Sequence, residues 1–515
     1  MFVKIAMLLV FFAIMIAVAA MTAKHSKDVG GFVLGGRNIG PWLSAFAYGT
    51  SYFSAVIFVG YAGQFGWKFG VASTWVGIGN CLIGSLLAWV ILGRRTRLMT
   101  NHLNSATMPD YFEKRFDSRV MRLIAAALIF IFLIPYTASL YKGLSQLFAM
   151  AFNIDYSVCI IVMAIITAIY VIAGGYMATV VSDFIQGIIM LFGIVAVIGA
   201  VLKINGGFTG SLAALAQVSD PATSTQPGVF ASFFGPDPLN LLGVVLLTSL
   251  GTWGLPQMVQ KFYAIKSEKS VYTGTIISTI FAAVVAGGCY FLGGFGRLFS
   301  TPELVAQNGY DSIVPEMLSN LSDVMLGLII VLVLAASMST LSSLVLTSSS
   351  SLTLDFIAPL SKKQMSDKTK VFIMRVLLAV FIIISVVIAI IQYKTNATFI
   401  AQMMGLSWGA LAGAFLAPLL YGLYWKRTTK AACMVCFVTG PVIMILNTFV
   451  PAIFPAVLRS PINCGAFTMI LGLIIVPVVS LFTKNPGDEK VARIFKCYDE
   501  KVTVNASQAL GSSKE

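Results

Sequence analysis

Uninterrupted apolar stretches of about twenty residues recur along the whole chain, and no other feature limits its possible folds as strongly. The first runs from Phe2 to Met21. Others are centred near residues 53, 82, 132, 165, 190, 249, 283, 337, 380, 408, 440 and 473, giving about thirteen in all. Hydrocarbon offers no water to backbone N–H and C=O groups, so each stretch must satisfy its own hydrogen bonds, as an α-helix does. Composition agrees, with 58% of residues hydrophobic and 10% charged, where a soluble domain would be roughly a quarter charged. The chain is therefore predicted to be an all-α membrane protein with a single transmembrane domain over 1–484. The polar tail over 485–515 is too short for a catalytic or signalling domain. Phe2 to Met21 lacks a small-residue cleavage site followed by a soluble domain and is expected to stay as an anchor.

The net charge of +14 sits in short loops between the apolar stretches. Lys24, Lys27 and Arg37 follow the first span, Arg94, Arg95 and Arg97 the third, and Lys261, Lys266 and Lys269 the seventh. Further clusters follow the ninth (Lys362, Lys363, Lys368), eleventh (Lys426, Arg427, Lys430) and thirteenth (Lys484, Lys490, Arg493). Cations placed this way orient the chain rather than bind a polyanion, so nucleic acid is not an expected partner. The positive-inside rule puts the N-terminus outside and the tail in the cytoplasm, with the loop over 206–239 external. Cys81, Cys159 and Cys289 fall inside spans as small apolar residues. Cys433 and Cys436 form a C-x-x-C in an apolar run without partner ligands. His25 and His102 fall in predicted loops and suggest no histidine chemistry.

One span carries unusual polarity. Leu334 to Ser343 reads Leu-Ala-Ala-Ser-Met-Ser-Thr-Leu-Ser-Ser, and on a helix Ala336, Ser339, Thr340 and Ser343 share a face with Ser342 beside it. Small hydroxyl residues let a second backbone approach closely, and a dehydrated monovalent cation needs several such oxygens. The same residues also serve to bond their own carbonyls or to join helices. Two other spans are interrupted: Ala47-Tyr-Gly-Thr-Ser-Tyr-Phe-Ser-Ala55, and Thr248-Ser-Leu-Gly-Thr-Trp-Gly-Leu-Pro256 about five spans later. Paired broken segments in corresponding positions indicate an inverted-repeat transporter with its site at the bilayer midplane. Carbonyls freed near Thr50 and Phe53, with the Ala336 carbonyl and the Ser339 and Thr340 hydroxyls, would supply about five oxygens for Na+.

Ionisable residues inside spans are costly and usually functional. Asp183, in Ser-Asp-Phe-Ile-Gln-Gly187, either pairs with a second cation held by Ser339, Ser342 and Ser343 or caps its helix near the cytoplasmic end. Lys142 in the fourth span either faces a cavity and attracts a substrate carboxylate or snorkels outward.

At the level of motifs the chain resembles the sodium:solute symporter family. Leu34-Gly-Gly-Arg-Asn-Ile-Gly-Pro41 is similar to the loop after that family's first span, and Thr107-Met-Pro-Asp-Tyr-Phe112 to its next cytoplasmic loop. Ala336-Ser-Met-Ser-Thr340 resembles its sodium-binding span, and Ser407-Trp-Gly-Ala-Leu-Ala-Gly413 through Lys430 its signature in the eleventh span. The resemblance implies a LeuT-like core of two inverted five-helix repeats, about 42–202 and 239–426, with one extra N-terminal and two extra C-terminal helices. It implies Thr50, Phe53, Ala336, Ser339 and Thr340 as the main sodium site, and Asp183, Ser339, Ser342 and Ser343 as a second. Solute is then expected between the broken spans and span four, beside Ser51, Tyr52, Ser54 and Lys142. Tyr136, Thr248, Thr252, Trp253 and Pro256 occupy or adjoin positions that contact solute in relatives.

Sodium/proline and sodium/pantothenate symporters are the nearest patterns, the latter through Gly254-Leu-Pro256 and Gly294 to Arg297. Proline transporters carry an Asp where Tyr52 stands and aromatics where Thr248 and Thr252 stand. The expected function is sodium-coupled import of a small organic solute by alternating access, as a monomer in the cell membrane and without enzymatic chemistry. A proton-coupled transporter using Asp183 and a non-translocating solute sensor are the alternatives.

Overall fold

A computed structural model describes residues 2–22, 28–152, 154–319, 321–395, 400–485 and 487–499. Lys24, His25, Lys27 and the end of the tail, 500–515, lie outside the described residues. The architecture is all-helical. Among the described residues ten helices are long and apolar enough to cross a membrane, or eleven when one bent pair counts as a single span. The expectation of about thirteen is not reached by that measure, and the shortfall has local causes. The second predicted span is split at Phe53, the fifth is only the short helix Tyr156–Ile169, and the seventh is the bent pair itself.

The helices that build the centre are α1 (Pro41–Tyr52), α2 (Arg119–Phe152), α3 (Gly175–Ile204), α4 (Pro238–Gly254), α5 (Pro256–Tyr263), α6 (Asp323–Ser351) and α7 (Ile400–Tyr424). Several starts are written in the sequence. The Asp237 carboxylate accepts from Asn240 N–H at 3.1 Å with Pro238 in the first turn of α4, and Ser322 caps α6 through Met325 N–H at 3.4 Å. Gly175, at φ 60° and ψ −157°, breaks the polypeptide ahead of α3 in a conformation closed to side-chain-bearing residues.

Burial separates centre from periphery. The most apolar stretches of α6 and α7 are 83% and 89% buried, against 22% for the N-terminal helix Phe2–Thr22, which leaves that helix's Phe2, Leu9 and Met21 to face lipid. Helix α6 packs against α2, the 156–204 segment and the N-terminal helix, while α7 packs against α2, α4 and helices Lys430–Phe449 and Pro461–Phe482. Lipid tails are as apolar as leucine, so this packing depends on close fit. Gly254 illustrates it: a Cβ there would lie 2.8 Å from Ala412 Cα and 2.8 Å from Leu416 N.

The 485–515 segment is not wholly the free polar tail that its composition predicts. Part of it docks: helix Asp488–Phe495 and the turn after it bury Val491, Ile494, Phe495 and Cys497. Phe495 lies under the Arg115 guanidinium at 5.0 Å, and Tyr498 under that of Arg95 at 4.6 Å. This end of the molecule is the tail face; the opposite end, with the 206–237 loop, is the loop face.

Candidate functional site

Helix α1 stops at Tyr52 because Phe53 turns extended, at φ −106° and ψ 128°. Ile57 N–H then donates to Ser54 O at 3.0 Å, which takes the Phe53 carbonyl out of the helical ladder. Helix α6 answers this break directly. Ser339 Oγ lies 3.1 Å from Thr50 O and 3.0 Å from Ala336 O. Thr340 Oγ1 lies 3.2 Å from Thr50 O, 3.4 Å from Phe53 O and 3.1 Å from Ala336 O. Thr50, Phe53, Ala336, Ser339 and Thr340 thus bring three carbonyl and two hydroxyl oxygens into one cluster, and all five residues are buried. Such a set, dry and uncharged, suits a hard monovalent cation that has shed its water.

Other hydroxyls of α6 behave in the blander way. Ser337 donates to Val333 O at 2.7 Å, Ser342 to Ser339 O at 2.9 Å and Ser350 to Thr347 O at 3.2 Å. Helical face decides which serines cross to α1 and which turn back on their own helix.

The second break mirrors the first. Leu255 is extended, at φ −77° and ψ 124°, and α5 leaves it bent by 45° from α4. Tyr52 ties the two together, donating to Thr248 O at 2.5 Å and stacking on Phe53 at 4.5 Å and on Trp408 at 6.0 Å. Tyr136 meets Trp408 edge-on at 5.9 Å. The Tyr136 hydroxyl faces the side chains of Ser54 and Trp408, while both amide atoms of Gln257 are buried without a hydrogen-bond partner among the described residues.

Several of the expected solute-binding side chains are already engaged. Thr252 donates to Gly84 O at 3.0 Å, Trp253 to Ile83 O at 3.0 Å, and Thr248 to Val244 O of its own helix at 2.9 Å. Ser51 shares a hydrogen bond with Ser343 at 2.8 Å, and the Ser54 hydroxyl accepts from Val56 N–H at 3.3 Å. Pro256 is buried at the start of α5.

The two intramembrane charges differ from both of their expected readings. Lys142 neither snorkels nor awaits a carboxylate: its side chain is 7% exposed and its ammonium sits 3.3 Å from Asp311, which also accepts from Ile400 N–H at 3.3 Å. Burial raises the Asp311 carboxyl above the usual range, against the pull of Lys142 and the Ile400 N–H. Asp183 is fully buried well inside α3 and caps nothing. Its cationic neighbour is Lys261, with Nζ 3.5 Å from Asp183 Oδ2 and 2.9 Å from Ser343 Oγ. Lys261, expected among the loop cations after the seventh span, belongs instead to α5 and is 2% exposed. The signal is present in the sequence, since Pro256 can begin a second helix as readily as end the first, and that helix carries Lys261 into the interior.

Ion pairs link elements at both ends, Arg297 meeting Asp220 at 2.9 Å on the loop face. On the tail face Arg122 reaches Asp355 at 2.8 Å and Glu113 at 2.6 Å, and Thr107 donates to Asp355 at 2.6 Å. A cavity of about 520 Å³ lies beside this network, and one of about 610 Å³ opens on the loop face near Lys68, Asn240 and Arg297. Two broken helices with a buried oxygen cluster between them, and a cavity and ion pairs at each face, are the arrangement expected of a secondary transporter.

Comparison with known proteins agrees. The sodium:solute symporter family matches residues 32–440. A sodium/proline symporter of Staphylococcus aureus is 31% identical over 495 residues, covering 93% of each chain, and that of strain NCTC 8325 is 30% identical over the same span. Among solved structures, a substrate-bound, outward-open Na+-coupled sialic acid symporter superposes with a TM-score of 0.75 at 19% identity, covering 94% of this chain and 98% of that one. Mhp1, a nucleobase-cation-symport-1 family transporter in a closed conformation, gives 0.50 at 13% identity, covering 92% and 99%. The chain belongs to the sodium:solute symporter family: it is a multi-pass membrane transporter with a LeuT-like fold that couples a small organic solute to sodium.

Proposed function

We propose that this symporter imports proline or a similarly small amino acid or carboxylate, pantothenate included, and holds its coupling sodium with Thr50 O, Phe53 O, Ala336 O, Ser339 Oγ and Thr340 Oγ1. The observation that carries the sodium assignment is the convergence of α6 hydroxyls on the carbonyls freed at the α1 break, at 3.1 to 3.4 Å. Sodium bridging α1 and α6 stabilises the arrangement in which the solute site between the two breaks is complete. Solute then permits closure and inward release.

Solute sits between the breaks, in reach of Tyr52, Tyr136, Trp253 and Trp408, where the clustered aromatic faces suit a compact molecule. The similarity to sodium/proline symporters supports proline as first candidate. Tyr52 adds no charge, so an ammonium group would be met by backbone carbonyls and a carboxylate by N–H donors at the helix ends. The protein works as a monomer in the lipid bilayer of the cell membrane and carries out no enzymatic step. Its tail face, with Arg94, Arg95, Arg97, Arg115 and Lys426, lies in the cytoplasm, and the N-terminus lies outside.

One sodium crossing about 100 mV contributes about 2.3 kcal/mol and a tenfold gradient about 1.4 kcal/mol, enough for roughly 500-fold accumulation. Uptake of labelled proline and pantothenate into proteoliposomes, with sodium or choline outside and an inside-negative potential, tests the reading. Accumulation in sodium alone supports it. Equal uptake in choline, or uptake that collapses only with a protonophore, would overturn the sodium assignment.

A further inference from the structure

The Asp183 carboxylate lies in the membrane interior without a hydrogen bond to either oxygen among the described residues. Its charge is balanced by one group, the Lys261 ammonium 3.5 Å away. That ammonium donates to Ser343 Oγ at 2.9 Å, and Ser343 Oγ in turn meets Ser51 Oγ at 2.8 Å. On its remaining side lies the Tyr176 ring, with the centroid 5.3 Å from Nζ. A carboxylate, hydroxyls and an aromatic face make suitable surroundings for a small cation, and a cation already stands among them. The cavity left beside it measures about 10 Å³, room for a single water at most. A metal ion entering the same cluster would have to share Asp183 with a like charge a few ångströms away.

We propose that Lys261 is a tethered cation standing in a second cation position formed by Asp183, Ser343 and Ser51, so that the symporter binds one sodium ion per cycle. The inference rests on the sodium reading of the Thr50, Phe53, Ala336, Ser339 and Thr340 cluster. It assigns Lys261 a role in setting ion stoichiometry. Because Lys261 rides on α5, beyond the second break, the tether also holds this half-helix to α3 and α6 without a diffusible ion. A freely exchanging second sodium would instead make that contact depend on the external concentration.

The test is equilibrium binding of radioactive ²²Na+ to the purified full chain, read as ions per protein and as a Hill coefficient, with no solute required. Wild type is expected to bind one ion with a Hill coefficient near one, and Lys261→Arg to do the same. Lys261→Met vacates the position while Asp183 stays, so the stoichiometry doubles to two. Asp183→Asn added to Lys261→Met returns it to one. Two ions on wild type would overturn the inference and leave the first site standing. One ion on a folded Lys261→Met protein, still lost on adding Thr340→Val, would overturn it equally. Absence of sodium binding to wild type is the distinct result that removes the underlying site reading and the inference with it. Should Lys261→Met fail to fold, the wild-type stoichiometry decides alone.

Discussion

Replacing Thr340 by valine keeps the shape of the side chain and deletes one oxygen from the cluster between α1 and α6. Oγ1 is within 3.2 Å of Thr50 O, 3.4 Å of Phe53 O and 3.1 Å of Ala336 O, so it is the atom that draws the other three together and, under the proposed assignment, a sodium ligand. A polar contact to a charged partner contributes about 1.5–3 kcal/mol net. At 1.4 kcal/mol per decade, half-saturating sodium should rise about 10- to 150-fold. Loss of contact with three carbonyls at once favours the upper half of that interval. The variant should cost little stability, about 1 kcal/mol, because Ser339 still serves Thr50 O and Ala336 O. The assay is sodium-dependent uptake of labelled proline into proteoliposomes across a sodium titration, with Ser337→Ala as control. Ser337 is equally buried on the same helix, but its hydroxyl donates only to Val333 O. An unchanged sodium requirement in Thr340→Val, or the same shift in Ser337→Ala, would refute the assignment of this face as the ion site.

Three further outcomes follow from the geometry. Lys142→Met or Asp311→Leu alone strands a buried charge and should lower stability by about 3–5 kcal/mol, while the double substitution recovers most of it. Thermal unfolding of the three proteins decides this, and a double variant as poor as the singles would count against a closed ion pair. Gly254→Ala pushes a methyl against Ala412 Cα and Leu416 N, both backbone-fixed at 2.8 Å, and should cost about 1–3 kcal/mol and displace the second break; wild-type stability and transport would contradict that packing. The C-terminal segment should be held by Phe495 far more than by the exposed Lys490 and Asp117 pair. Limited proteolysis is expected to release it in Phe495→Ala and barely in Lys490→Ala. The hydrogen bond and charge of Lys490 hold the Asp117 carboxyl below its ordinary value. A depressed carboxylate stabilises above its unfolded pKa, so this small contribution is present at neutral pH and fades only as pH falls below about 4.

What could be read directly from the sequence was whatever obeys local rules. Length and apolarity decide that Asp367–Thr395 or Pro461–Phe482 is a membrane helix, because hydrocarbon leaves the backbone no alternative. Gly254 and Pro256 mark the second break at a definite residue, whereas the first, at Phe53, is signalled only by Gly49 and the hydroxyl residues around it. The 3.6-residue period places Ser339 and Thr340 on one face together. The oxygen cluster was legible for these reasons: each half lies within a dozen residues, and the family's pattern joins the halves. Which charge meets which was not legible. Asp183 and Lys261 are separated by 78 positions in the chain, Lys142 and Asp311 by 169, and nothing in either local context names the partner. Only the folded arrangement brings α5 back beneath α6 and carries Lys261 out of an apparent loop into the interior. There the cost of an unpaired charge makes its ion pair with Asp183 an obligation of the tertiary structure.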